Sequence, residues 1–510
     1  MKKALLTNAL LIFGIISYSQ ITFNKLENYS GPVSSATNVK RIGDNYFIQY
    51  LYLDSSFSQG IGVLKTDEYG NIIKKIEFLD TAFWYGSISF RNIIATSDSF
   101  LIMAANRYYN QSLRKEKVEI WKFDTNLDTI WTKLIEHPDT AEANIQGAEK
   151  LVRISDLIQS LDGGYVLSIY YNRKCMDPTN SHNYRALLMK LDTTGNILWV
   201  NKNNEIFVQL VELEAASDSG FYSPAAISNL PYKLNKFDKL GNYLWSVNAN
   251  AYPTQTHAIE CCEYDSTSAI MATFYKINVQ NGKYGITVFK INTNTKTVEW
   301  NKDFIVADVM VSQTLLQTMP MDIVVNKNGG IFIATSGRHT IYTPWQTVLY
   351  SGIVLKLNTN GDSLWTKYYN YNGNGIYDTE LQGFMINDDG SFVGVGYGML
   401  QTNPQQKLWF FKTDIGGYLG VEEKKEVFIS GISVYPNPTS DNLEFSFKYK
   451  LNYYSELTIY NSIGQIINTY NIDKGVSSYK INTDNYQTGI YLYELKNKNK
   501  TIGTGKFVKD

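Results

Sequence analysis

Apolar residues in this chain come in short runs, each closed by Gly, Asn or Asp, and no long stretch keeps the 3.6-residue period of a helix. Runs such as GDNYFIQYLY (43–52), SDSFLIMAAN (97–106), DGGYVLSIYY (162–171), NGGIFIATSG (328–337) and DGSFVGVGYG (389–398) open on turn residues and continue in aromatic and β-branched ones. That combination predicts strands. After each comes a second recurring unit: apolar residues, Lys, one residue, Asp or Asn, a turn, then Trp. Examples are IWKFDTNLDTIWTK (120–133), LMKLDTTGNILWVNK (188–202), LNKFDKLGNYLWSVN (234–248) and VLKLNTNGDSLWTKYY (354–369).

The Lys anchors of this unit are Lys65, Lys122, Lys190, Lys236, Lys290, Lys356 and Lys412, spaced about 58 residues apart on average. Two residues after each stands Asp67, Asp124, Asp192, Asp238, Asn292, Asn358 or Asp414, and five copies carry Gly at the fifth place: Gly70, Gly195, Gly241, Gly361 and Gly417. Asp or Asn opens a tight turn by accepting its own backbone amides, and Gly takes the positive-φ place that closes it. Trp131, Trp199, Trp245, Trp300 and Trp365, five of the nine Trp, fall at the ninth or tenth place. Each copy therefore reads as a β-hairpin with a wide aromatic on its second strand.

With the upstream runs, each period holds about four antiparallel strands. Four strands repeated seven times predict a closed seven-bladed β-propeller of four-stranded blades over residues 20–421; an open solenoid is the alternative. The seventh copy ends as YLGVEE, without its Trp strand. Gln20-Ile21-Thr22-Phe23-Asn24-Lys25-Leu26 reads like the missing outer strand, so the N-terminal segment is expected to complete the last blade. After the charged run Glu422–Glu426 the period is lost. Residues 422–431 read as a linker and 432–510 as a small immunoglobulin-like β-sandwich.

The N-terminus is a different kind of segment. Lys2 and Lys3 precede a mostly apolar run, Ala4 to Ile16, and Ser17-Tyr18-Ser19 supplies small residues for cleavage before Gln20. This is the pattern of a signal peptide over residues 1–19, too short to span a bilayer, and no other stretch reads as a transmembrane segment. Net charge is −1 for 510 residues, which offers no footprint for nucleic acid. Three Cys and four His exclude a disulfide scaffold and multi-cysteine metal sites, and neither a cofactor nor a metal is expected.

The C-terminal segments VYPNPTSDNLEF, LTIYNSIGQII, TGIYLYELK and GTGKFVKD, in that order, resemble the C-terminal sorting domain of type IX (Por system) secretion in Bacteroidetes, over residues 432–510. The resemblance implies passage across the outer membrane, contact with the type IX machinery, and release or attachment at the cell surface. By position it assigns Pro436, Asn437 and Pro438 to the opening motif, Gly489 and Tyr491 to a G-x-Y motif, and Lys506 and Lys509 to the basic end. The repeat resembles secreted Bacteroidetes propellers of undefined function and, more distantly, quinoprotein repeats.

Candidate chemistry is sparse. Cys261 and Cys262 are adjacent, which leaves open a strained vicinal disulfide, a bond from one of them to Cys175, or free thiols; the last is the preferred reading. His257 and His182 lie near Cys261 and Cys175 but complete no zinc spacing, and Asn387–Ser391 lacks the distal Glu of a calcium loop. The repeated Lys reads as an edge or interblade charge. Loops at 172–184, 249–258 and 337–350 are the candidate ligand face, with His182, Tyr184, Arg338, Tyr342 and Trp345 suited to stacking on sugars or peptides. The leading expectation is a surface or secreted module that binds glycan or protein. A polysaccharide hydrolase or lyase with paired carboxylates on one propeller face is the alternative.

Overall fold

The computed structural model describes residues 22–419 and 432–510, apart from 28–32, 81, 87–91, 110–115, 137–150, 173–183, 203–211, 226–231, 250–258, 279–282, 308–321, 342–346, 372–376, 401–402, 448–449, 452, 463 and 498–499. The segments read as signal peptide and linker lie outside the described residues. The chain forms two compact units, Met1–Gly420 and Val421–Asp510. Every regular element among the described residues is a β-strand.

The first unit contains seven antiparallel sheets at residues 33–78, 83–135, 152–201, 214–249, 259–307, 322–369 and 377–412, called sheets 1 to 7 here. Five of them, sheets 1 and 3 to 6, have four strands in simple sequence order. In sheet 7 the fourth strand is the N-terminal Phe23–Glu27, paired antiparallel with Asn403–Lys412. Phe23 stands opposite Lys412, the register place that Trp131 holds opposite Lys122 and Trp365 opposite Lys356. The expected stapling of the two ends is what the structure has.

Sheet 2 departs from four strands. Its first strand is interrupted, and the pieces Phe83–Gly86 and Ile93–Ala95 both pair with Leu101–Tyr109. Only the strand pairing shows that this edge is made of two pieces.

Each sheet shares an apolar core with the next. Phe47, Val63 and Trp121 join sheets 1 and 2, Ile120 and Leu187 join 2 and 3, and Leu188 and Phe237 join 3 and 4. Phe289 and Leu234 join 4 and 5, Val288 and Ile333 join 5 and 6, and Val354 and Trp409 join 6 and 7. The series returns on itself, because Phe23, Tyr46, Val393 and Phe410 join sheet 7 to sheet 1. First strands also neighbour first strands all the way round, with Tyr377–Ile386 beside Val33–Ile42. This all-β, cyclic arrangement of four-stranded sheets is β-propeller-like.

The repeated hairpin explains how sheets register on one another. In Asp238–Asn242 the Asp238 carboxylate accepts the amides of Leu240 and Asn242, both at 2.8 Å, and Gly241 takes φ 76°. A Cβ on Gly241 would stand 2.9 Å from the Trp199 ring of sheet 3. The same packing of one sheet's aromatic under the next sheet's turn recurs for Trp131 at Gly195, Trp300 at Gly361, Trp365 at Gly417 and Phe23 at Gly70. Between sheets 1 and 2 neither partner is present; Lys74 replaces Trp, Leu127 replaces Gly, and Lys74 instead pairs with Asp128 at 2.9 Å. Gly241→Ala is expected to cost about 2 kcal/mol, from the positive φ and the displaced indole, read as a lower urea midpoint with unchanged slope.

The repeated lysines are not edge charges. Lys122, Lys190, Lys236 and Lys412 are buried on third strands. Lys236 pairs with Asp218 at 2.6 Å and lies over the Tyr222 ring, and Lys122 lies over Phe100 and reaches the Tyr165 hydroxyl of the next sheet. Lys190 bonds Ser160 and Asp162. Burial opposes ionisation of Asp162, yet the bonds from Lys190 and Ser160 hold its carboxyl down at about 2. A buried ammonium is tolerable here because an acid, a hydroxyl or a ring face meets it.

The second unit has a three-stranded sheet, Ile432–Tyr435, Asn442–Phe447 and Ser478–Asn482. Its four-stranded sheet runs in the order Ile466–Ile472, Ser455–Asn461, Gly489–Asn497, Lys500–Lys509. Both contribute to one core around Phe445, Leu457, Ile459, Tyr493 and Phe507.

Candidate functional site

Two regions gather residues of functional interest, one in each unit. In the second unit the motif residues converge on the C-terminal strand. Pro436 and Pro438 both follow cis peptide bonds, and the turn they make directs Asn437 at the chain end. The Asn437 side-chain oxygen accepts the Val508 amide at 2.8 Å, Thr439 donates its amide to Val508 at 2.9 Å, and Asp510 donates to the Thr439 carbonyl at 3.0 Å. Thr439 is buried and donates its hydroxyl to the Asn442 carbonyl. The opening motif is thus a clasp on the last residues, formed because short polar side chains in a turn can substitute for a missing ladder partner.

Gly489 pairs with Lys509 and Tyr491 with Phe507. The Tyr491 and Phe507 rings stack at 5.4 Å, and the Tyr491 hydroxyl reaches the Gln487 carbonyl at 2.8 Å. Gly489 has φ 155° with open space around it, so the need for glycine is one of backbone conformation. Lys509 bonds the Asp510 carbonyl, while Lys506 is exposed. The structure brings all seven sequence-assigned residues to the last strand, the strand paired with it and the clasp. Sequence reasoning missed Thr439; its place directly after Pro-Asn-Pro was the available signal.

In the first unit the longest connections gather at one end. Turns between first and second strands, and between third and fourth in sheets 1 to 6, are two to five residues long. They lie at one end and are tied across sheets: Ser97 N to Gln159, Ser217 N to Glu263, the Tyr264 hydroxyl to the Gly329 carbonyl, and Lys302 to Asp362. All other connections leave from the opposite end, including sixteen residues between Ile135 and Val152 and fourteen between Ala307 and Asp322.

The three candidate loops belong to that open end. His182, Tyr342 and Trp345 lie outside the described residues, and Tyr184 begins the strand Tyr184–Leu191. Arg338 is in the strand Ile331–Ile341, opposite Tyr350, so most of 337–350 is an extended hairpin and not an insertion.

Beneath the open end is a floor of tyrosine–acid pairs that the sequence did not reveal. The Tyr50 hydroxyl donates to Glu77 at 2.7 Å, Tyr85 to Glu119 at 3.1 Å and Tyr397 to Glu380 at 2.6 Å. Arg107 pairs with Asp80 and Glu119 and lies 4.0 Å over the Phe83 ring, and Arg153 holds Glu116 by two bonds. Buried carboxylates stitch sheets together: Asp156 accepts the Leu213 amide and Glu212 the Cys261 amide, at 2.7 and 2.9 Å. Cys261 and Cys262 are buried as thiols in different cores, on opposite faces of their strand, so the vicinal disulfide is not formed. Asn387–Ser391 is a hairpin turn.

Burial pushes the Glu380 carboxyl above the usual carboxylate range, against the bonds from Tyr397 and Gln382. Its folded form therefore favours the proton; the contribution is full below the unfolded value and is lost as pH rises. Glu380→Gln is expected to raise the melting temperature at pH 7 and to lose that advantage by pH 4, measured by calorimetry at both values.

Residues 433–510 match the family model of the secretion system C-terminal sorting domain. This unit is a type IX sorting domain. The sorting domain implies export by that system, to the cell surface or the medium, and contact with its machinery. No helix among the described residues is long and apolar enough to cross a membrane. No curated protein matches the chain. Similar solved structures include the WD40 domain of Toxoplasma gondii coronin, 10% identical with a TM-score of 0.42, covering 78% of this chain and 85% of that one. An α-L-arabinofuranosidase from Fusarium graminearum is 10% identical with a TM-score of 0.39, covering 78% and 98%.

Proposed function

We propose that this protein is an exported seven-bladed β-propeller, residues 20–421, that binds a glycan or protein partner through its open end. In this reading a signal peptide, residues 1–19, takes it through the inner membrane. An immunoglobulin-like sorting sandwich, residues 432–510, then takes it across the outer one. Residues 422–431 are the linker.

The observation that carries the binding role is the division of connections. One end is closed by short turns tied across sheets, and the other collects every long connection, with partly buried Tyr, Arg and carboxylate pairs on the strands that lead to it. Loops free to vary on a rigid frame are where binding sites of such folds lie. Tyr184 and Arg338 stand on strands whose connections leave from that end, and with His182, Tyr342 and Trp345 they are the proposed ligand contacts; Pro436, Asn437, Pro438, Gly489, Tyr491, Lys506 and Lys509 are the proposed sorting signal.

The test is a glycan and polysaccharide array probed with the purified exported chain and scored for both retention and cleavage. Retention of a ligand class without cleavage, lost when the 173–183 and 342–346 loops are replaced by Gly-Ser, is the expected result. Cleavage of any polysaccharide replaces the binding role with a hydrolytic or lytic one.

A further inference from the structure

The motif residues of the sorting domain hold it together, and most of them are spent inward. Tyr491 and Phe507 stack in the core, and Pro436 to Pro438 clasp the end of the last strand. Recognition by another protein needs outward side chains, and one sheet face supplies them.

Strand register puts Ile466 opposite Tyr460, Tyr460 opposite Leu492, and Leu492 opposite Lys506. This is one row across all four strands, about 14 Å wide at ~4.8 Å per strand. The inward neighbours Ile459, Tyr491, Tyr493 and Phe507 fill the core, so alternation turns the row outward. Ile466 is 65% exposed and Leu492 43%, and beside them Ile490, opposite Val508, is 52% exposed. Four branched apolar side chains and a tyrosine ring share this face with no covering element among the described residues of the unit.

The flanking row is different. Thr458, Glu494 and Thr504 are polar, and Glu494 accepts from Tyr460 at 3.0 Å and pairs with Lys496 at 2.8 Å. Lys506 makes no ion pair with an acid among the described residues of the unit. The strand Ile466–Ile472 is an edge strand without a charge or a proline, although edges of soluble sheets are commonly guarded by both. A bare edge, an apolar row and a lone ammonium at its far end mark a surface meant to be covered.

We propose that the outward row Ile466–Tyr460–Leu492–Lys506, with Ile490 and Val508, is the face by which the sorting domain docks on a protein of the secretion machinery. The partner surface is apolar with a carboxylate placed to meet Lys506. This rests on the sorting reading given above. Continuity chooses that occupant: Lys506 is both a motif residue and the end of the row, and no other motif side chain faces outward from this sheet.

The experiment expresses the full chain in a host with the type IX system and measures the exported fraction by immunoblot of cells and medium. Leu492→Glu and Lys506→Glu are each expected to cut export at least ten-fold. Leu492→Thr, which keeps the strand propensity, gives an intermediate loss. The melting transition of the sorting unit in each purified chain should match the parent. Glu456→Gln, on the same sheet but off the row, exports normally. Parental export of both Leu492→Glu and Lys506→Glu overturns the docking face, as does an export loss that occurs only where the melting transition is also lost, with Leu492→Thr then unaffected. If a chain lacking 432–510 is exported like the parent, the sorting reading itself fails, which separates the two.

Discussion

Deleting residues 20–30 is expected to lower the melting temperature of the first unit by about 10 °C. The segment is small, but its losses are concentrated. Phe23 leaves the core it shares with Phe410 and Tyr46, a truncation of the kind that costs about 3 kcal/mol. Asn24 accepts the Trp409 indole N–H at 2.8 Å and donates to the Asn370 carbonyl at 2.8 Å. Without it a buried indole donor is stranded, at about 1–3 kcal/mol. The strand Asn403–Lys412 also becomes a bare edge beside the first sheet. Calorimetry of the purified chain decides the matter; a midpoint within 2 °C of the parent would mean that closure does not depend on the N-terminal strand. Phe23→Ala alone should produce a third to a half of the shift.

Truncation after Asn499 is expected to abolish export and retain the precursor inside the outer membrane. The lost strand, Lys500–Lys509, pairs along the whole of Gly489–Asn497. It carries the fully buried Phe507, and it is the strand that Asn437 and Thr439 clasp. The sorting unit cannot keep its core without it. The first unit has its own cores and is expected to remain folded, so cell fractionation should find a protease-resistant fragment of residues 20–421 in the periplasm. Normal export of the truncated chain would remove the last strand from the signal. Thr439→Val, which takes away one buried hydroxyl, should reduce export only partially.

The parts of this architecture legible in the sequence are those governed by contacts a few residues apart or by a repeated residue. Asp238 followed by Gly241 is a turn whatever surrounds it, because the carboxylate closes on its own amides. Trp at a constant distance from Lys announced a shared packing position before its partner was known. Even closure could be read, since Phe23 and Lys25 follow the pattern of Trp131 and Lys133. The sorting domain was legible for another reason: four ordered motifs at one end of a chain are specific.

What stayed hidden depends on which strands meet. Lys236 is an unremarkable cation until its strand lies between two others and Asp218 comes within 2.6 Å. Tyr397 and Glu380 are seventeen residues apart, and only the pairing of their strands joins them. The split first strand of sheet 2 is invisible locally because both pieces have ordinary strand composition. Arg338 was expected in a loop, and only the pairing of Ile331–Ile341 with Thr347–Leu357 puts it on a strand.

By itself, then, the sequence determined the all-β class, the period, the hairpin turns, the closing segment and the sorting domain, all written in local backbone preference and repetition. The tertiary structure alone decided which charges are buried, which carboxylates stitch one sheet to the next, and which face of the sorting domain is left outward. Those are long-range matters: they follow from strand register and alternation, and a residue's side is set by its partners across the sheet.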